Sequence, residues 1–197
     1  MTYKTPTVSC TATLEIKKSE FFGFGYPITS RDELMFHVEQ LQAKFPDARH
    51  ICYGYIIGDP NNTTSAGFYD DGEPSGTAGK PILNVLQHKA IGNCTVIVVR
   101  YFGGIKLGAG GLTRAYSSSA QMVVNNMTLQ DFIPKTTLTI ATTFAHEAQI
   151  RHLLHKTNGQ IVAVDYHTNV LITVIIANQN LQNLEQQLSI YGTIVNY

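Results

Sequence analysis

The sequence has no tryptophan, three cysteines, and no proline in its last 63 residues. It also lacks an excess of either charge: 14 Lys and Arg stand against 14 Asp and Glu. Charged residues are 14% of the 197, against roughly 25% in an ordinary soluble domain. A protein that coats nucleic acid by bulk positive charge is therefore excluded, and any contact with phosphate must come from local clustering. Intrinsic disorder is excluded as well, because 44% of the chain is apolar and disorder needs low hydrophobicity with high net charge. Cys10, Cys52 and Cys94 are odd in number and form no C-x-x-C pair, which argues against a disulfide framework or a cysteine zinc site. Their apolar neighbours predict buried thiols in a reducing compartment. The longest apolar stretch, residues 170–177, contains Thr173 and falls far short of the roughly 20 residues of a membrane span. The first residues carry no apolar core of a signal peptide. The expectation is a cytoplasmic protein without a membrane segment.

What is present is unevenly placed. Ten of the 16 glycines lie between Gly67 and Gly111, and the last proline is Pro134. This shift predicts two domains, 1–134 and 135–197. The second reads as β-α-β-β-α-β. Residues 137–143 alternate, residues 146–157 place Ile150, Leu153 and Leu154 on one helical face, and Asn158-Gly159 is a helix stop. Strands follow at 160–167 and 170–177, a helix at 180–189, and a last strand at 193–197. That order is the ferredoxin-like pattern. The first part reads as α+β, with strands at 10–17, 21–28, 51–57 and 95–99. Ser30 and Glu33 form a capping box for its first helix. Residues 58–79 read as a long polar loop, Pro81 opens a helix through residue 89, and a Gly-rich loop over 103–111 precedes a helix at 112–127.

Two segments carry the chemical information. The first is Asp70-Asp71-Gly72-Glu73-Pro74-Ser75-Gly76-Thr77-Ala78-Gly79-Lys80-Pro81. It runs into a helix N-terminus, where free N–H groups favour anions, with Ser75, Thr77 and Lys80 as added donors. Asp70, Asp71 and Glu73 stand just upstream. They would hold a cation, or pair with Arg100, Lys106 or Arg114. Pro81 after Gly79-Lys80 breaks the Walker A pattern. The second segment, residues 100–116, places five glycines among Arg100, Tyr101, Phe102, Lys106, Arg114 and Tyr116. Basic and aromatic residues on a Gly-rich loop have the composition of a nucleic-acid contact. It is not the dinucleotide fingerprint, because Gly110 is followed at the third place by Thr113. Arg114 in a helix's first turn opposes the dipole, which predicts an anion in front of it. His152 and His155 lack further ligands at zinc spacing, His50 reads as structural, and no G-x-S-x-G elbow surrounds any serine.

These residues resemble the YigZ/IMPACT family in its bacterial two-domain form. The likeness rests on Lys17-Lys18-Ser19-Glu20-Phe21, Pro46-x-Ala48-x-His50-x-Cys52-Tyr53, and the two segments above. It spans residues 14–130 and departs at Gly67-Phe68-Tyr69, where members usually carry Arg or Ser. The resemblance implies an N-terminal domain similar to the ribosomal protein S5 domain 2-like group, as in elongation factor G domain IV. It implies a tail similar to domain V of that factor. Eukaryotic relatives of the family regulate an amino-acid-sensing translation kinase through a partner protein.

Three functions follow as expectations. The first is a non-enzymatic binding protein near translation. It would contact RNA or the ribosome through Lys80, Arg100, Lys106 and Arg114, with Tyr101 or Tyr116 stacking a base. The second is a metal-dependent hydrolase using Asp70, Asp71 and Glu73. The third is a regulator that binds a protein partner by strand addition at the second domain's sheet edge. No catalytic residue, cofactor or metal site is assigned from sequence.

Overall fold

The computed structural model describes residues 2–196. Contacts divide the chain into two compact units, Thr2–Phe132 and the residues from Ile133 onward. Both are α+β.

The first unit contains β1 (Tyr3–Pro6), β2 (Cys10–Ile16), β3 (Ser19–Pro27), α1 (Arg31–Lys44), β4 (His50–Asp59) and β5 (Asn62–Tyr69). It continues with α2 (Gly79–His88), β6 (Cys94–Tyr101), α3 (Ala109–Asn125) and β7 (Leu129–Phe132). Five strands form an antiparallel sheet in the order β2-β3-β6-β4-β5. β1 pairs with β7 apart from it. Helices cover both faces of the sheet, so its central strands are apolar on both sides. On β4, Cys52 and Ile56 join the cluster under α2 and α3, while Ile51, Tyr53 and Tyr55 join the cluster under α1. On β6, Val96 and Val98 point one way and Ile97 and Val99 the other.

Close approach sets two sequence positions. A Cβ at Gly23 on β3 would lie 2.4 Å from the Val123 side chain of α3. A Cβ at Gly54 on β4 would lie 2.5 Å from the Leu83 backbone N of α2. Both helices thus press onto sheet backbone rather than onto side chains. At α1, Ser30 Oγ accepts from the Glu33 N–H at 3.2 Å. The return arm of the cap differs from expectation: Glu33 accepts from the Thr29 N–H at 2.6 Å, one residue earlier.

Two further expectations are corrected. Residues 58–79 are not one long loop, because β5 occupies their middle and pairs with β4 from Asn62 to Tyr69. β5 is an edge strand with exposed Asn, Thr and aromatic positions, so it lacks the alternation that marks a half-buried strand. α3 begins at Ala109 and not at residue 112, taking Gly110 and Gly111 into its first turn.

The second unit contains β8 (Lys135–Thr142), a 3-10 turn (Phe144–His146), α4 (Glu147–Lys156) and β9 (Gln160–Tyr166). β10 (Val170–Ala177), α5 (Asn178–Leu188) and β11 (Gly192–Asn196) complete it. The order β11-β8-β10-β9, antiparallel throughout, is the ferredoxin-like sheet. Ile140, Ile150, Leu154, Ile172 and Leu184 fill its core. α4 stops at Asn158, whose φ is +54°, and the Gly159 N–H donates to the Leu154 carbonyl at 2.8 Å. The last strand was expected to reach Tyr197, which lies outside the described residues. Among the described residues no helix is long and apolar enough to cross a membrane.

Candidate functional site

The acidic segment is built into the fold. Asp70, at the end of β5, turns its carboxylate onto the start of α2. Its Oδ2 accepts from the Gly76 N–H at 2.8 Å, and its Oδ1 from Ala78 at 3.1 Å and Gly79 at 2.8 Å. The N-terminus of α2 is therefore closed by the chain's own carboxylate. The anion site expected there does not form. Thr77 is buried and donates to the Pro74 carbonyl at 2.6 Å; Ser75 and Lys80 are exposed. Asp71, at φ +41°, accepts from the Ile51 N–H at 2.6 Å and pins the loop to β4. Its carbonyl lies 2.7 Å from His50 Nδ1. Since a carbonyl only accepts, Nδ1 carries the proton there and Nε2 is the free nitrogen.

Glu73 is the buried centre of a polar cluster between sheet and helices. Its Oε1 accepts from Arg100 Nη1 at 2.6 Å and from the Tyr116 hydroxyl at 2.8 Å. Arg100 lies over the Phe21 ring, and Tyr116 meets that ring edge-on. Cys52 Sγ stands 3.5 Å from the Tyr116 hydroxyl. Burial pushes the Cys52 thiol and the Tyr116 hydroxyl far above their ordinary values, so both stay protonated. Tyr116 is 0% exposed, which removes it as a platform for a base. Arg100 is 5% exposed, which removes it as a surface cation. Asp70, Asp71 and Glu73 each serve a different partner and do not converge. Among the described residues no group of three or more His, Cys, Asp and Glu could hold a metal ion.

Arg114 was expected to face an anion or the acidic group. It is exposed on α3, and Glu73 pairs with Arg100 instead. Tyr101 is half-buried, packed edge-on against Phe22 and Phe45.

An open cleft of about 340 Å³ lies beside this buried cluster. Arg49, His50, Arg100, Phe102 and Lys106 line it, together with Glu73, Gly108 and Ala109. Arg49 and Lys106 are exposed. Among the described residues the ion pairs are Lys4–Asp131, Glu73–Arg100 and Glu147–Arg151, so Arg49 and Lys106 have no carboxylate partner. α3 begins here without a side-chain cap, leaving its first N–H groups and the positive end of its dipole toward the cleft's rim. Arg49 and His50 were not expected to contribute. Their signal in the sequence was a basic pair directly before an apolar strand. Only the turn at Asp71 and the start of α3 bring that pair beside Lys106.

The family description "Impact N-terminal domain" matches residues 17–124. The chain belongs to the IMPACT family. A domain of unknown function, DUF1949, matches residues 140–189. The IMPACT family member YigZ of Escherichia coli is 38% identical over 169 residues, 86% of this chain and 83% of the relative. An IMPACT family member of Haemophilus influenzae is 30% identical over 175 residues, 89% of this chain and 85% of the relative. A crystal structure titled as a hypothetical protein is 34% identical with a TM-score of 0.72, covering 95% of this chain and 91% of the other. The cleft, the acidic loop and the Gly-rich loop all fall within the Impact-matched residues.

Proposed function

We propose that this IMPACT-family chain is a non-enzymatic binding protein that engages RNA or a ribosomal surface and acts in the regulation of translation. One observation carries the reading: two unpaired cations, Arg49 and Lys106, share a cleft with the uncapped start of α3 and the exposed ring of Phe102. Phosphate is drawn to that combination, and a base stacks on an exposed ring. The family resemblance to domains of a translation elongation factor points the same way. The hydrolase alternative loses its support, because its three acids are already committed within the fold.

The test is the affinity of the full chain for a single-stranded RNA, followed against salt. The chain is neutral overall, so only the local cations act. With Arg49, Lys106 and Arg114 in contact with phosphate, log K falls against log salt with a slope of about −2. Replacing Lys106 and Arg114 together by Ala weakens binding and reduces the slope to roughly −0.7. RNA affinity that ignores salt, or survives both substitutions, overturns the assignment.

A further inference from the structure

Beyond general contact with RNA, we infer that the cleft beside α3 is a site for a single nucleotide unit, its phosphate at the start of α3 and its base on Phe102. The inference rests on the binding reading above and names the ligand of that site.

The cleft combines two kinds of lining. One is polar: Arg49, Lys106 and the start of α3 at Gly108 and Ala109. With Arg100 and Glu73 included, three cations face one carboxylate, and that carboxylate is held by Arg100 at 2.6 Å. A surplus of two positive charges remains. It sits at the dipole's positive end of a 17-residue helix whose N-cap, Gly108, supplies no side chain. A Cβ at Gly108 would meet nothing within 4 Å, so the approach to the first N–H groups is open. An independent observation points to a ligand here. Arg100 lines the cleft and is 5% exposed, yet its Nε is buried with no hydrogen-bond partner. A buried guanidinium N–H without an acceptor is uncommon and costly, and a small shift of the Arg100 side chain toward a bound phosphate would give it one.

The other is Phe102, 47% exposed, its ring beneath the Arg100 guanidinium at 5.7 Å. The outer face of such a ring is a stacking platform for any base. A volume of about 340 Å³ lies at the small end of the range for ligand pockets, which suits a mononucleotide and not a folded RNA element. His50 lines the same cleft, its Nδ1 held by the Asp71 carbonyl.

The experiment is calorimetric titration of the full chain with 5′-AMP, adenosine and inorganic phosphate, alongside the single-stranded RNA. The same titrations are made on Phe102→Ala and on Arg49→Ala with Lys106→Ala. All three side chains are exposed, and circular dichroism confirms folding. The expected result is saturable binding of 5′-AMP, with adenosine and phosphate each weaker by tenfold or more. Phe102→Ala lowers 5′-AMP affinity roughly fivefold to a hundredfold and leaves phosphate binding unchanged. The double variant abolishes binding of both. Absence of saturable 5′-AMP binding, or 5′-AMP affinity equal to that of phosphate, overturns the nucleotide site. RNA binding by the wild type without 5′-AMP binding sinks this inference and leaves the RNA reading standing. Binding of 5′-AMP without RNA does the reverse.

Discussion

At the scale of single residues, burial decides which of the site's opposite charges pair. Arg100, not Arg114, meets Glu73, because Arg100 lies in the run of β6 that is buried from Cys94 onward while Arg114 is exposed on α3. Linear spacing does not tell which of two arginines a sheet will bury. The Glu73–Arg100 pair is nearly inaccessible, with side chains 4% and 6% exposed. Glu73→Gln therefore leaves Arg100 as an uncompensated buried charge, and unfolding in urea is expected to show a loss of about 3–5 kcal/mol. The cysteines test burial at the same scale. With its thiol pushed far up, Cys52 has almost no thiolate near neutral pH. Alkylation of the native protein should modify half-buried Cys10 before Cys52 and Cys94; rapid labelling of Cys52 would show that the cluster around Glu73 opens. His37 stacks on Tyr26 with centroids 3.9 Å apart, and burial lowers its affinity for a proton. The unfolded chain binds that proton more readily. His37 thus adds stability above its ordinary value of 6.5, and the contribution is lost as pH falls through and below it. His37→Phe should flatten the stability profile on the acidic side of that value.

At the scale of elements, the ferredoxin-like half could be read almost whole, because its helices and its central strand β10 carry strong periodicity and its turns carry Asn-Gly or Thr-Asn signals. The first half was harder. β5 is polar and lies at an edge, so its hydrogen bonds to β4 define it and its hydrophobicity does not. α3 starts three residues before residue 112, because Gly110 and Gly111, which have the composition of a loop, form part of its first turn. That displacement matters for function, since it moves the free helix terminus into the cleft. α2 gives the opposite case. Its first turn has no capping residue in the expected place, and Asp70 reaches it from nine residues before Gly79. Asp70→Ala would orphan three N–H groups at once. The expected loss is about 2 kcal/mol, and Asp70→Asn should recover part of it by keeping one acceptor oxygen. Gly54→Ala probes the same helix from below. Its Cβ would meet the Leu83 backbone, so α2 must lift from the sheet, at a cost of about 1–3 kcal/mol in urea unfolding.

At the scale of the whole molecule, charge neutrality is a property of both parts: residues 1–134 hold 11 basic and 11 acidic side chains, and residues 135–197 hold 3 and 3. Neither part offers a broad electrostatic footprint, so recognition must be local, as the cleft is. The composition shift after Pro134 marked two units, and each has its own hydrophobic core. Ile82, Val98 and Tyr116 belong to one, and Ile150, Ile172 and Leu184 to another. A smaller domain buries a smaller fraction of its surface and is the more marginal of the two. Separate cores predict separate cooperative transitions. Scanning calorimetry of the full chain should resolve two, with the residues from Ile133 onward melting first. Ile172→Ala removes buried methyl groups from the centre of the ferredoxin-like sheet, at about 2–5 kcal/mol. It should lower the first transition by ten degrees or more, given the small unfolding entropy of so short a domain, and leave the second in place. Ile82→Ala should do the converse, moving only the higher transition until the two merge. A single transition that shifts as one body with either substitution would show instead that the two cores unfold as one cooperative unit.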